Sequence, residues 1–158
     1  MQPEFLFEVT ASLKGIHKVL ETCGHAPASV FRQAMDTFDL IYMDFKIADP
    51  ALHQEYTGLP NDLILQNIRT LCEGTTPFVI RIPLIPGITD TEDNLTRIAA
   101  CVSDAKALQY VELLPYNRMA GSKYAAIGQE YHPRFQENQP VALRHDIFAR
   151  FGIESRGS

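Results

Sequence analysis

Residues 38–47, Phe-Asp-Leu-Ile-Tyr-Met-Asp-Phe-Lys-Ile, alternate with the period of two that an extended chain imposes. Ile41, Met43, Phe45 and Ile47 fall on one face, all apolar. Leu40, Tyr42, Asp44 and Lys46 fall on the other, apolar at its start and charged at its end. A strand apolar on both faces belongs inside a covered, usually parallel sheet. Further strands are predicted at 16–22, 78–85 and 110–114, with a short last one at 153–156. Between them, apolar residues recur at helical spacing. The helix over 3–14 opens on Pro3, carries Phe5, Leu6, Val9 and Leu13, and stops at Gly15. The helix over 27–36 buries Val30, Phe31, Ala34 and Met35. Asn61 is placed to cap a helix built on Ile64, Ile68, Leu71 and Cys72, and Asp90 or Thr91 one built on Leu95, Ile98, Ala99 and Val102. A last helix carries Leu143, Ile147, Phe148 and Phe151. Asp49-Pro50 opens a loop or short helix with His53 and Tyr56. Residues 118–139 show little periodicity and read as a long irregular loop, the kind that is usually functional or mobile.

Strand and helix therefore alternate four times, the pattern of an α/β chain with a parallel sheet and helical crossovers. The alternation starts on a helix with no strand before it, so the chain reads as cut. There is no interdomain linker and no fixed-period repeat, and residues 1–158 are expected to form one domain.

Composition narrows the function. With 158 residues, 46% of them hydrophobic, there is material for a core. A net charge of -5 argues against nucleic acid or an anionic membrane as the main partner. No apolar run approaches the roughly 20 residues of a membrane helix, and the N-terminus lacks secretory-signal features. Three widely spaced cysteines, Cys23, Cys72 and Cys101, fit a reducing cytoplasm better than a disulfide framework and form no C-x-x-C pair.

Each predicted strand ends in polar groups: Glu21-Thr22, Asp44 with Lys46, Arg81, and Asn117 just past Leu114. Parallel architecture brings those ends to one edge, where βα enzymes keep their sites. Glu21 and Asp44 suit a cation or ligand hydroxyls; Lys46 and Arg81 suit a carboxylate or phosphate. Each alone has an ordinary explanation as a surface ion pair, a solvated carboxylate or a turn cap. Convergence on one edge favours a small-molecule site. The five histidines show no HxxxH spacing, and Cys23 beside Gly24 and His25 reads as a packed small residue before a reactive thiol. No Walker or G-x-G-x-x-G loop is present.

Leu20-Glu21-Thr22-Cys23-Gly24-His25, the run Asp39 to Lys46, Thr57-Gly58, Arg81-Ile82-Pro83-Leu84-Ile85-Pro86-Gly87 with Asp90 and Asn94, and Leu113-Leu114-Pro115-Tyr116-Asn117 stand in order along nearly the whole chain. Together with Gly121, Lys123-Tyr124 and Gly128, they resemble the glycyl-radical-enzyme activating enzymes of the radical S-adenosylmethionine superfamily, within it the pyruvate formate-lyase branch. The resemblance implies an incomplete parallel βα barrel of about four to five strands, lacking the first two βα units. It implies S-adenosylmethionine and a 4Fe-4S cluster as cofactors of the parent, with the cluster not bound by this chain, since no CxxxCxxC is present. The parent's partner would be a glycyl radical enzyme of the pyruvate formate-lyase type, from whose glycine a deoxyadenosyl radical takes hydrogen. Carried over residue by residue, Asp44, Lys46, Arg81 and Asn117 face S-adenosylmethionine, and Glu21 with Asp44 holds a monovalent cation. Asn117 stands where the family usually has histidine. The chain alone is expected to be inactive, to self-associate through the edge strand at 16–22, and to be preceded in its gene by CxxxCxxC and Gly-Gly-Glu within roughly 80–100 residues. The competing readings are a non-catalytic βα binding module and a βα lyase using Lys46 as an amine nucleophile. The latter ranks last, because a carboxylate two residues away on the same face keeps the amine protonated.

Overall fold

The computed structural model describes residues 2–117 and 119–157. Five strands, β1 (Val19–Thr22), β2 (Leu40–Asp44), β3 (Phe78–Leu84), β4 (Leu108–Pro115) and β5 (Ser155–Gly157), form one all-parallel sheet. They lie side by side in chain order. Each crossover is helical: α2 (Ala28–Thr37), α3 (Pro50–Thr57) with α4 (Asp62–Glu73), α5 (Glu92–Val102), and α6 (Ala120–Ala126) with α7 (His145–Ala149). α1 (Pro3–Ser12) precedes β1 and packs beside α2. This is an open arc of a βα barrel, as expected, and the sheet is not closed.

The two faces differ. Ile41 and Met43 of β2, Phe78, Ile80, Ile82 and Leu84 of β3, and Val111 and Leu113 of β4 are completely buried. They pack beneath Phe31, Ile68, Leu71, Leu95, Ile98 and Phe148 of the helices. Each such aliphatic side chain contributes about 1.5–3 kcal/mol by leaving water. Among the described residues no helix covers the opposite face: Val19 is exposed, and Leu40, Tyr42, Asp44, Arg81, Tyr110 and Glu112 are half-buried. Val79 is the exception, buried between its register partners Tyr42 and Tyr110. Apolar residues on both faces of 38–47 thus signal a barrel's inner and outer faces, not a sheet covered on both sides.

Several boundaries shift. The strand expected at 16–22 is paired only from Val19, and the last helix is a short turn in which Leu143 and Phe151 take no part. The loop expected over 118–139 contains α6; Arg118 lies outside the described residues. Thr91 caps α5, accepting from the Asn94 amide, while Asp90 accepts from Gly87 N–H and closes the turn before it. Asn61 holds the N-cap position of α4 but caps nothing; its side chain turns inward instead.

Candidate functional site

The strand register sets the charges in rows. Asp44, Arg81, Glu112 and Arg156 are successive neighbours across β2 to β5, alternating in sign on the uncovered face. One row toward the strand starts stand Glu21, Tyr42, Val79 and Tyr110. Arg81 links the rows. Its Nε donates to Asp44 Oδ1 at 3.1 Å, and its NH2 reaches back to Glu21 Oε2 at 3.0 Å. On the way the guanidinium lies 5.5 Å from the centre of the Tyr42 ring, within cation–π range. Lys46 Nζ stands 3.2 Å from Asp44 Oδ2. Glu21, Asp44, Lys46 and Arg81 are therefore one network of two negative and two positive charges. Arg81 and Asp44 form its inner part, at 19% and 23% side-chain exposure, and Lys46 and Glu21 its rim, at 46% and 63%. Burial opposes the Arg81 charge, but the Asp44 and Glu21 carboxylates outweigh it and raise the guanidinium's pKa further.

Asn117 stands apart from this network. It follows β4, is exposed, and its Oδ1 accepts from the Met119 N–H at 2.9 Å. The described hydrogen bonds join it to that turn and not to Asp44, Lys46 or Arg81. Glu21 and Asp44 are brought together, as a cation site requires, but with a guanidinium between them. Among the described residues, no group of three or more His, Cys, Asp or Glu is arranged to hold a metal. The cysteines cannot converge on one cluster. Cys23 follows β1 at the C-terminal end of the sheet, whereas Cys72 and Cys101 sit in the last turns of α4 and α5, at the other end, where Cys72 Sγ–H donates to the Cys101 carbonyl.

Sequence reasoning overlooked two features. The first is an aromatic pair beside the charges. Tyr42 and Tyr110 share a hydroxyl–hydroxyl hydrogen bond of 3.3 Å, which with burial raises the Tyr110 pKa, and Arg156 stacks 3.9 Å over the Tyr110 ring. Tyr42 lies two residues before Asp44, so its shared face was readable. The second is a cleft of ≈ 190 Å³ behind Lys46, lined among others by Cys23, His25, His53 and Leu59. Cys23 is exposed there rather than packed. Gly24, at φ +70°, makes the turn after β1, and a Cβ on it would run into Met43. His53 is buried, with its Nδ1–H donating to the Leu59 carbonyl at 2.9 Å.

No protein-family model matches the chain. It is similar to the choline trimethylamine-lyase activating enzyme of Oleidesulfovibrio alaskensis, with 39% identity over 136 residues, covering 83% of this chain and 44% of that protein. It is also similar to the 4-hydroxyphenylacetate decarboxylase activating enzyme of Clostridioides difficile, with 33% identity over 162 residues, covering 97% and 50%. Among solved structures, a domain of pyruvate-formate lyase-activating enzyme from Bacteroides vulgatus superposes with a TM-score of 0.78 at 27% identity, over 99% of this chain and 91% of that one. The chain spans about half the length of the curated relatives it matches.

Proposed function

From the premise that the chain is homologous to the glycyl-radical-enzyme activating enzymes of the radical S-adenosylmethionine superfamily, we propose that it forms one wall of their S-adenosylmethionine site. The observation that carries this reading is the charge network on the uncovered face at the C-terminal edge of the sheet. S-adenosylmethionine bears a carboxylate together with an ammonium and a sulfonium. A network with both signs at its rim is matched to such a ligand, since Lys46 can turn to a carboxylate and Glu21 to a cationic group. Bound there, the cofactor supplies the hydrogen-abstracting chemistry of the parent enzyme. Asp44 and Arg81 orient the ligand; Asn117, bonded through its oxygen, keeps its amide N–H groups for a ribose or adenine edge. In this reading the Glu21–Asp44 pair also serves a monovalent cation, with Arg81 moving aside.

The cysteine placement does not fit a 4Fe-4S cluster, so no step is assigned to one on this chain. Residues 1–158 act as one domain of a longer activating enzyme in the cytoplasm, inactive alone. Among the described residues, no helix is long and apolar enough to cross a membrane. The relatives' names point to several different partner lyases and decarboxylases rather than to pyruvate formate-lyase, so the partner is taken as a glycyl radical enzyme without further branch. Phe5 and Val9 form an exposed apolar stripe on α1, and Leu13, Ile16 and Val19 after it are exposed too. Apolar side chains left exposed along one stripe mark a surface that another segment covers. In this proposal the remaining half of the parent covers that stripe.

Titration of the chain with S-adenosylmethionine, followed by amide chemical shifts, tests the reading. Perturbations should centre on Asp44, Lys46 and Arg81 and shrink in Lys46→Ala. Absence of such shifts at millimolar ligand would leave the non-catalytic binding module as the better account.

A further inference from the structure

We propose that Asn94 is a positioning residue for Lys46, fixing the backbone from which the lysine reaches into the site; this rests on the function proposed above. Asn94 opens α5 and is 4% exposed. All its polar capacity is directed at the loops that leave the site strands. Its Oδ1 accepts from the Ala48 N–H at 2.9 Å, and its Nδ2 donates to the Lys46 carbonyl and the Thr89 carbonyl, both at 2.9 Å. Thr89 in turn donates to the Pro83 carbonyl and accepts from the Ile85 N–H, at the end of β3. One carboxamide thus ties the exit of β2, where Lys46 stands, to the loop that leaves β3.

The bonding pattern leaves no freedom in how the amide is turned. Exchanging its oxygen and nitrogen would set an acceptor against two carbonyls and a donor against an N–H. Asn61 also holds the neighbouring peptides, donating to the Ile47 and Ala48 carbonyls at 3.3 Å each. Asn67 clamps one loop earlier through its Nδ2 alone, donating to the Gly24 and Ala26 carbonyls at 2.8 Å, while its Oδ1 accepts no hydrogen bond among the described residues. Asn67 is buried as deeply, at 1% exposure, but its hydrogen bonds go to Gly24 and Ala26 and not to residues 46–48. It is the control that separates positioning from plain stability.

The experiment compares Asn94→Asp, Asn94→Leu and Asn67→Leu with the wild-type chain by backbone ¹⁵N relaxation and S-adenosylmethionine titration. Asn94→Asp keeps the shape and reverses the hydrogen-bond sense toward the two carbonyls, so it serves even where Asn94→Leu does not fold. In the Asn94 variants the order parameters of residues 46–48 should fall from about 0.85 to below about 0.6, with residues 79–82 unchanged. Asn67→Leu should loosen residues 24–26 and leave 46–48 rigid. Asn94→Asp should weaken S-adenosylmethionine binding roughly tenfold, and the double variant with Lys46→Ala should bind no more weakly than Lys46→Ala alone. Unchanged order at 46–48 overturns the proposal. So do binding losses from Asn94→Asp and Lys46→Ala that multiply. If the wild-type chain shows no S-adenosylmethionine effect, the proposed function fails, while loosening confined to 46–48 still supports the clamp.

Discussion

Replacing Arg81 with methionine keeps most of the side-chain stem and removes the charge that Asp44 and Glu21 share. The two contacts have nearly equal lengths, 3.1 and 3.0 Å, but different surroundings. Asp44 is 23% exposed and Glu21 63%. A charge-assisted hydrogen bond is worth about 1.5–3 kcal/mol when it is sheltered. The Asp44 contact belongs near the lower end, because Lys46 still faces that carboxylate after the change. An exposed ion pair is worth about 0.2–1 kcal/mol, and the cation–π contact with Tyr42 adds about 0.5–1 kcal/mol. Arg81→Met should therefore destabilise the chain by about 2–3 kcal/mol, a shift of roughly 1 M in the urea midpoint at unchanged slope. Double-mutant cycles separate the partners. Arg81→Met with Asp44→Asn should couple by about 1–2 kcal/mol, and with Glu21→Gln by under about 1 kcal/mol. High salt should erase the second coupling and leave most of the first. A Glu21 coupling equal to or larger than that of Asp44 would show that exposure does not rank these contacts, and the division into inner and rim charges would fail.

The remaining predictions are as direct. S-adenosylmethionine should bind this chain more weakly than the micromolar range, and calorimetry showing micromolar affinity abolished by Lys46→Ala would mean that this wall is sufficient. Anaerobic reconstitution should give no stoichiometric 4Fe-4S spectrum, because Cys23 lies at the opposite end of the sheet from Cys72 and Cys101; a reducible cluster seen by EPR would contradict that. The free edge of β1 and the exposed Val19 beside it should drive self-association, and light scattering showing a monomer at all concentrations would refute it. Burial, with the neighbouring Cys101 and Glu73, pushes the Cys72 thiol up to about 11 from 9.0. The folded-state pKa is the raised one, so the thiol's contribution to stability is complete below about pH 9 and is lost as pH rises toward 11. Urea midpoints across that window should fall in the wild type and fall less in Cys72→Ala.

Periodicity carried the fold far. The strands at Leu40–Asp44 and Phe78–Leu84 lie inside their expected spans, and the crossover helices α2, α4 and α5 were placed. The misses fall where local pattern is weak. Lys18 begins no regular pairing: its N–H bonds to the Asp39 carboxylate, so β1 starts late. α6, within the segment expected to be irregular, carries Tyr124, whose ring lies 5.2 Å from that of Tyr131. Contacts of that kind belong to tertiary structure and leave no period in the sequence.

The site was legible as a set of residue types at strand ends, but not as a network. Nothing in the spacing of Glu21, Asp44 and Arg81 says that one guanidinium joins both carboxylates. That follows from the register, which places Asp44 beside Arg81 and Glu21 one row back. The asparagine clamps did leave a readable trace. Asn94 shares a helical stripe with Ile98 and Val102, and Asn67 lies among Ile64, Ile68 and Leu71, all of them core positions. A polar side chain there is costly unless its hydrogen bonds are met, and a helix interior offers its side chains few free backbone partners. The bonds must then go to another segment. Here those segments are the loops after β1 and β2, 43 and 48 residues away along the chain. A lone asparagine on the apolar face of a crossover helix is therefore a sequence signal for a loop held in place, and in this chain the loop that Asn94 holds carries Lys46.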